Sequence, residues 1–179
     1  MQDASSNYFE LYDLEMDFQI DVSLLGEKHR QLMALYHPDK HTQSDAVTKS
    51  HAMQMSATIN ESYRILKSPL TRAGYLLELV GIDSKADNET SSDTEFLMQQ
   101  MMIRETIEGA QSAADPFAVL EQAQAQASAA QDSLFIAFEK SYQAKEFDQA
   151  REAYVKLSFF TRLQGQIDKK ERELEDLSV

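Results

Sequence analysis

The sequence predicts an all-α protein. Three observations carry that expectation. Good helix formers, Ala, Gln, Glu, Leu and Met, are abundant among the 179 residues. Turn formers are scarce, with 5 Gly and 3 Pro. Strand-type runs of Val, Ile and Thr are absent, and apolar residues recur instead at the spacing of a helix face. A chain of this length can bury about 70% of its unfolded surface without disulfides or metals, as one medium domain or two small ones.

Each element follows in order. "NYFELYDL" (7–14) is a short amphipathic segment with Phe9 and Leu14 inward. Asp21 offers an N-cap for a helix over 22–37, which places Leu25, His29, Leu32 and Tyr36 on one face. Arg30, Ala34 and His37 lie on the solvent side. Pro38 stops this helix, because proline disfavours a helical conformation in the residue before it. "HPDKHTQSD" is then a loop, and a second long helix over 45–67 packs back with Ala52, Ile59, Tyr63 and Leu66 inward. Two long helices and a short loop make an antiparallel hairpin. Ser68 and Pro69 start a shorter helix, and Gly81 ends it.

"IDSKADNETSSD" is polar and marks a linker, 82–92, between an N-terminal domain (1–81) and a C-terminal one (93–179). Ser92 and Glu95 fit a capping box for the helix "TEFLMQQMMIRETIEGA". Asp115-Pro116 starts a helix to about 144, in which "EQAQAQASAAQ" does not choose a buried face. The last helix, 146–176, sets Ala153, Leu157, Phe160, Ile167 and Leu174 at helical spacing. The second half thus reads as a three-helix bundle.

Composition narrows the function. There is no cysteine, so this chain offers no thiolates for zinc or an iron–sulfur cluster. The net charge of −13 is shared by both halves and disfavours nucleic-acid binding. The longest apolar runs, such as "YLLELV", are too short to span a membrane. The polar, acidic start is unlike a secretory leader, and the cytoplasm is the expected location.

"LMALYHPDKH" (32–41) admits three readings from its residues. His37, Asp39 and His41 are metal-ligand types, but alternate in one loop without an obvious fourth ligand. His37 and Asp39 form an acid–base pair by type, but no phosphate loop, nucleophile elbow or zinc-protease helix accompanies them. A third reading is presentation to another protein: a proline-stiffened hairpin tip with a carboxylate beside a lysine, led by a helix carrying Lys28 and Arg30.

The flanks bring in a resemblance. "YFELYDL", "HRQLMALYHPDKH" and "INESYRILKSPLTRAGYLL" stand in the order and spacing of a J domain, the module of DnaJ-type co-chaperones, whose signature is the loop His37-Pro38-Asp39. Residues 7–81 carry this likeness. With "QMSATINESYRILKSPLTRAGYLLELVG" and "DTEFLMQQMMIRE" the chain resembles the HscB-type co-chaperones of iron–sulfur cluster assembly, in their bacterial form.

The resemblance implies a non-enzymatic protein without a cofactor. Its J domain would dock on an HscA-type, DnaK-class chaperone and stimulate ATP hydrolysis there. Asp39 would pair with a chaperone arginine, His37 and Pro38 would fix the loop, and Lys28, Arg30 and Lys40 would steer the approach. The C-terminal bundle would bind an IscU-type scaffold protein through Leu97, Met98, Met101 and Phe159, with Glu105 as a polar contact. The residues suit such a site. Phe96, Ile103 and Ile107 make one stripe, Leu97, Met98, Met101 and Met102 a second. In the last helix, Leu157 and Phe160 lie beside a second stripe of Val155, Phe159 and Leu163. A surface helix needs only one buried stripe, and surplus apolar area marks a partner site or a wide core. An adaptor for another client and a hydrolase built on His37, Asp39 and His41 are the competing functions.

Departures from the family pattern are local. His29 stands where J domains carry an aromatic and reads as a packed ring. Gly26 and Glu27 thin a usually basic helix, and Met102 replaces a carboxylate seen in some relatives.

Overall fold

The computed structural model describes residues 7–41, 45–84 and 93–177. These residues form helices and no strand. Contacts divide the chain into two compact units, 1–81 and 82–179.

The first unit opens with a single helical turn, α1 (Tyr8–Leu11), capped by the Asn7 side chain. Phe9 is buried as its spacing predicts, but Leu14 is only half-buried, and Tyr12 takes the inner place instead. The reason is the turn that follows, where Asp13 has φ +48° and swings the chain so that the Tyr12 ring drops inward. Its hydroxyl donates to the Ile59 carbonyl at 2.6 Å and lies 3.1 Å from the Ser62 hydroxyl.

Helix α2 (Val22–Tyr36) is capped by Asp21, whose carboxylate accepts from the Ser23 and Leu24 amides. It packs on α3 (Ala46–Lys67), which Asp45 caps in the same way. Ala52, Ile59 and Leu66 are buried as expected, while Tyr63 is half-buried and stacks on His29 with ring centroids 4.1 Å apart. His29 also meets the Asn60 side chain at 3.2 Å, so it is the packed ring that the sequence suggested. The stripe on α2 thins along its length: Leu25 is fully buried, and His29, Leu32 and Tyr36 are half-covered.

Helix α4 (Pro69–Leu79) begins at Pro69, but Ser68 holds the N-cap position without a side-chain bond. The buried Arg72 instead reaches back to the last turn of α3, donating to the Leu66 carbonyl at 2.6 Å, with Phe18 beneath its guanidinium. A cation at a helix C-terminus is favourable because the carbonyls there carry partial negative charge. Gly81, at φ +81°, ends α4, and its amide donates to the Glu78 carbonyl.

The second unit is an up-down-up bundle of α5 (Thr94–Gly109), α6 (Pro116–Gln143) and α7 (Phe147–Leu177). The α5 cap is Asp93, which accepts from the Glu95 and Phe96 amides; Ser92 falls outside the described residues. Asp115 caps α6. The face that composition left open in α6 is Leu120, Ala123, Ala127, Gln131 and Phe138. Its small residues admit the neighbouring helices closely. Gln131 donates to the Thr161 hydroxyl at 3.1 Å, and Gln164 to Ser128 at 3.4 Å, which sets α6 antiparallel to α7.

One correction concerns α7. Val155 and Leu163, read as part of a surplus stripe, are buried with Leu157 and Phe160. Helix α7 packs against both α5 and α6, so two of its stripes are covered rather than one.

Helix α5 is fastened to α7 at its start. Lys156 Nζ lies 2.7 Å from Asp93 and 2.7 Å from Glu152, over the Phe96 ring. The Lys156 ammonium holds the Asp93 carboxyl below the usual carboxylate range, and the Phe96 amide adds to this. Burial pulls the Lys156 pKa down, but the bonds to Asp93 and Glu152 outweigh it and leave it raised.

Two predictions follow from these geometries. Gly26 sits inside α2 with room for a methyl group, whose nearest neighbours are Arg30 and Tyr63 at ordinary contact distance. Gly26→Ala should therefore raise stability by about 0.5–1 kcal/mol, whereas Gly81→Ala, forced into a left-handed conformation, should lower it by about 1 kcal/mol. Urea unfolding followed by circular dichroism checks both signs. The second concerns pH. A depressed carboxylate contributes stability that is present above its unfolded pKa of about 3.9 and lost as pH falls through the folded value. A raised ammonium contributes stability present below about 10.4 and lost as pH rises through the folded value. Asp93→Asn keeps a capping side chain and removes the charge. The gap in thermal midpoint between wild type and Asp93→Asn should be open at neutral pH and close as pH falls through the folded Asp93 value. It should narrow, keeping the part owed to the backbone amides, as pH rises through that of Lys156; a gap indifferent to pH would mean that the charge contributes nothing.

Candidate functional site

Two surfaces gather the residues that the sequence singles out. The first is the tip of the α2–α3 hairpin. Pro38 forces His37 out of the helix, and the His37 backbone is extended at φ −60°, ψ 126°. Its amide still donates to the Met33 carbonyl, so the change of direction occurs within one residue. The following stretch, expected as a plain loop, is a 3₁₀ turn over Pro38–His41. Residues 42–44 of the expected loop lie outside the described residues. The turn closes because the Lys40 amide donates to the His37 carbonyl at 3.0 Å and the Asp39 amide to His37 Nδ1 at 3.3 Å. His37 thereby organises the tip through its backbone and its ring.

Asp39 emerges with its side chain 86% exposed, its carboxylate 3.7 Å from His37 Nδ1. At that exposure the contact is weak, and the carboxylate stays available to an outside donor. Lys40 and Arg30 are exposed. Lys28 is differently placed: its ammonium donates to the Asp13 carbonyl at 2.8 Å and pairs with the Asp13 carboxylate at 3.1 Å. It ties the turn after α1 to α2, with its charge directed at Asp13. Among the described residues no three His, Cys, Asp or Glu side chains group to hold a metal ion. No helix among them is long and apolar enough to cross a membrane.

The second surface lies on α5. Phe96 is wedged against Phe159 and Phe160, with ring centroids 5.9 and 5.8 Å away in edge-on contacts. Phe96, Gln100, Ile103 and Ile107 form the buried stripe. Because side chains three and four apart share a helix face, this fixes what the other side shows. Met98, Met101 and Met102 are exposed by 62, 63 and 66%. They belong to a surface face rather than to a wide core. Leu97 and Phe159 are half-buried at its border, and Glu105 is exposed one turn further on. Arg162 covers the Phe159 ring at 4.7 Å. Methionine suits an adaptable apolar contact, since its unbranched, polarisable side chain repacks at low cost.

Sequence reasoning missed Tyr12, Ser62 and Arg72, whose polar atoms brace the core beneath the hairpin. Their only signal would have been polar groups at core spacing. It missed Lys156 too, because the Asp93–Lys156 pair spans 63 residues of chain.

Known proteins resemble this chain over most of its length. The family model described as the HscB C-terminal oligomerisation domain matches residues 92–168. The chain is 38% identical over 162 residues to the co-chaperone protein HscB homolog of Neisseria meningitidis, spanning 90% of this chain and 97% of that one. The structure of chaperone HscB from Vibrio cholerae superposes with a TM-score of 0.84 at 35% identity, covering 94% of this chain and 99% of the other. Human co-chaperone HscB gives a TM-score of 0.84 at 28% identity, over 94% and 84% of the two chains. The match extends over both units, an N-terminal J domain and a C-terminal helical domain. The chain belongs to the HscB family of co-chaperones.

Proposed function

We propose that this co-chaperone couples two proteins. Its J domain docks on an HscA-type chaperone of the DnaK class and stimulates ATP hydrolysis there. Its C-terminal bundle binds an IscU-type iron–sulfur scaffold protein and delivers it to the same chaperone. The nucleotide and its magnesium belong to the chaperone and the cluster to the scaffold. The inferred setting is the cytoplasm.

The observation that carries the chaperone half is the exposed Asp39 carboxylate, held by a turn that His37 and Pro38 shape. In this reading it receives a chaperone arginine in a charge-assisted bond. Lys40 beside it, and Arg30 further back on α2, leave exposed positive charge on this unit that speeds encounter with an acidic surface. Lys28 contributes mainly by fixing the middle of α2 to the turn after α1 through Asp13. The scaffold half rests on Leu97, Met98, Met101 and Phe159, with Glu105 as the polar contact beside them. Linking two sites in one chain raises the effective concentration of scaffold at the chaperone without any new contact.

The test is ATP turnover by the HscA-type chaperone, with and without this protein and the scaffold. Wild type should stimulate turnover, and more so with scaffold present. Asp39→Ala strands a charged partner, at about 2–5 kcal/mol, and should weaken docking at least roughly 30-fold. Stimulation that survives Asp39→Ala would overturn the hairpin reading. The double variant Met98→Ala, Met101→Ala should keep the basal stimulation and lose the scaffold increment. Wild-type stimulation that ignores scaffold would assign the bundle to a different client.

A further inference from the structure

The seam between α5 and α7 runs on beyond the methionine face. The two helices are parallel: Asp93 meets Lys156, Phe96 meets Phe159 and Phe160, and Gln111, in the 3₁₀ turn just after α5, meets Lys170. Past Phe159 the seam opens into a cleft of about 440 Å³ with Ile107 among its lining residues. Arg104 lines the α5 side, and Lys169 and Lys170 the α7 side. Glu173 lies 3.7 Å from Lys169 and 3.5 Å from Lys170, so one carboxylate is shared between two ammonium groups. Glu108 is the other acid of the lining. The Arg104 side chain makes no hydrogen bond or ion pair with the described residues. Three cations thus face two carboxylates, a local balance opposite in sign to the chain's −13.

We infer that this cleft receives an acidic side chain of the scaffold protein that covers Met98 and Met101, with Arg104 as the fork that binds the carboxylate. The inference rests on the docking reading above. Three considerations support it. Arg104 is one helical turn from Met101 and adjacent to Glu105 in sequence, so a single interface of ordinary size covers both. A guanidinium without an internal partner is pre-shaped for a carboxylate, which it binds through two parallel bonds. The acids on the cleft walls disfavour a multiply charged ion such as phosphate, while a single carboxylate leaves the cleft close to neutral. The two stretches then divide the work. The methionines supply adaptable apolar area, and the charged cleft sets the register of the partner along the seam.

Calorimetric titration of the full chain with purified IscU-type scaffold protein tests this, at low and raised salt. Wild type should bind less tightly as salt rises. Arg104→Glu should weaken binding at least tenfold at low salt and lose part of the salt dependence. Arg104→Lys, which keeps the charge without the fork, should fall between the two. Lys169→Glu, an exposed reversal on the opposite wall, should weaken binding several-fold and guards against a misfolded Arg104 variant. Wild-type affinity and salt dependence in both charge reversals, with binding lost in the Met98→Ala, Met101→Ala double variant, would overturn the cleft and leave the methionine face standing. A wild-type protein that does not bind the scaffold at all would overturn both.

Discussion

The seating of Phe96 between Phe159 and Phe160 decides which side of α5 is buried, and with it what the C-terminal unit presents. A helix rotates as a rigid rod, so fixing one aromatic fixes the whole face. Lys156 locks the rotation by joining the Asp93 cap, the Phe96 ring and Glu152 on α7. The apolar side that finds no helix to cover it is Met98, Met101 and Met102. The bundle could have buried them only by rotating Phe96 into water. Exposure of methionine here is a consequence of filling the core with larger, stiffer rings.

The N-terminal unit follows a comparable logic at its hairpin. One prolyl constraint ends α2, and one 3₁₀ turn closes the tip. The Asp39 carboxylate is projected outward by backbone geometry, without being drawn into a strong internal bond. The support for that tip lies well below it. Tyr12 fastens the chain after α1 to the middle of α3, and Arg72 fastens α4 to the end of α3. These buried polar contacts, each of which satisfies a carbonyl, add register to the apolar packing of Phe9, Leu25, Ile59, Leu66, Leu76 and Leu77.

Charge placement is economical in a chain with 17 cationic and 30 acidic side chains. Lys28 and Lys156 are committed to structural carboxylates. Arg72 is committed to a backbone carbonyl. Lys40 at the hairpin tip and Arg104 on the lower α5–α7 seam are the ones turned toward partners in the functional reading. An acidic background suppresses encounters with polyanions and sharpens the effect of the few basic positions that face outward.

The sequence by itself determined the helical class, the caps at Asp21 and Asp115, the proline stop before Pro38, the glycine stop at Gly81 and most of the inward stripes. All of these are local: a cap, a stop or a helical period is written within a few neighbouring residues. It also carried the hairpin signature and the surplus apolar side of α5. Tertiary structure alone decided the rest. Whether Val155 and Leu163 were surface or core depended on how many helices surround α7. Whether Met98 and Met101 were core or surface depended on where Phe96 points. The partners of Tyr12, Arg72 and Lys156 lie on other elements, in some cases dozens of residues away, and no local pattern encodes them. Periodicity says that a stripe exists; only packing against a neighbour says whether water or another helix meets it.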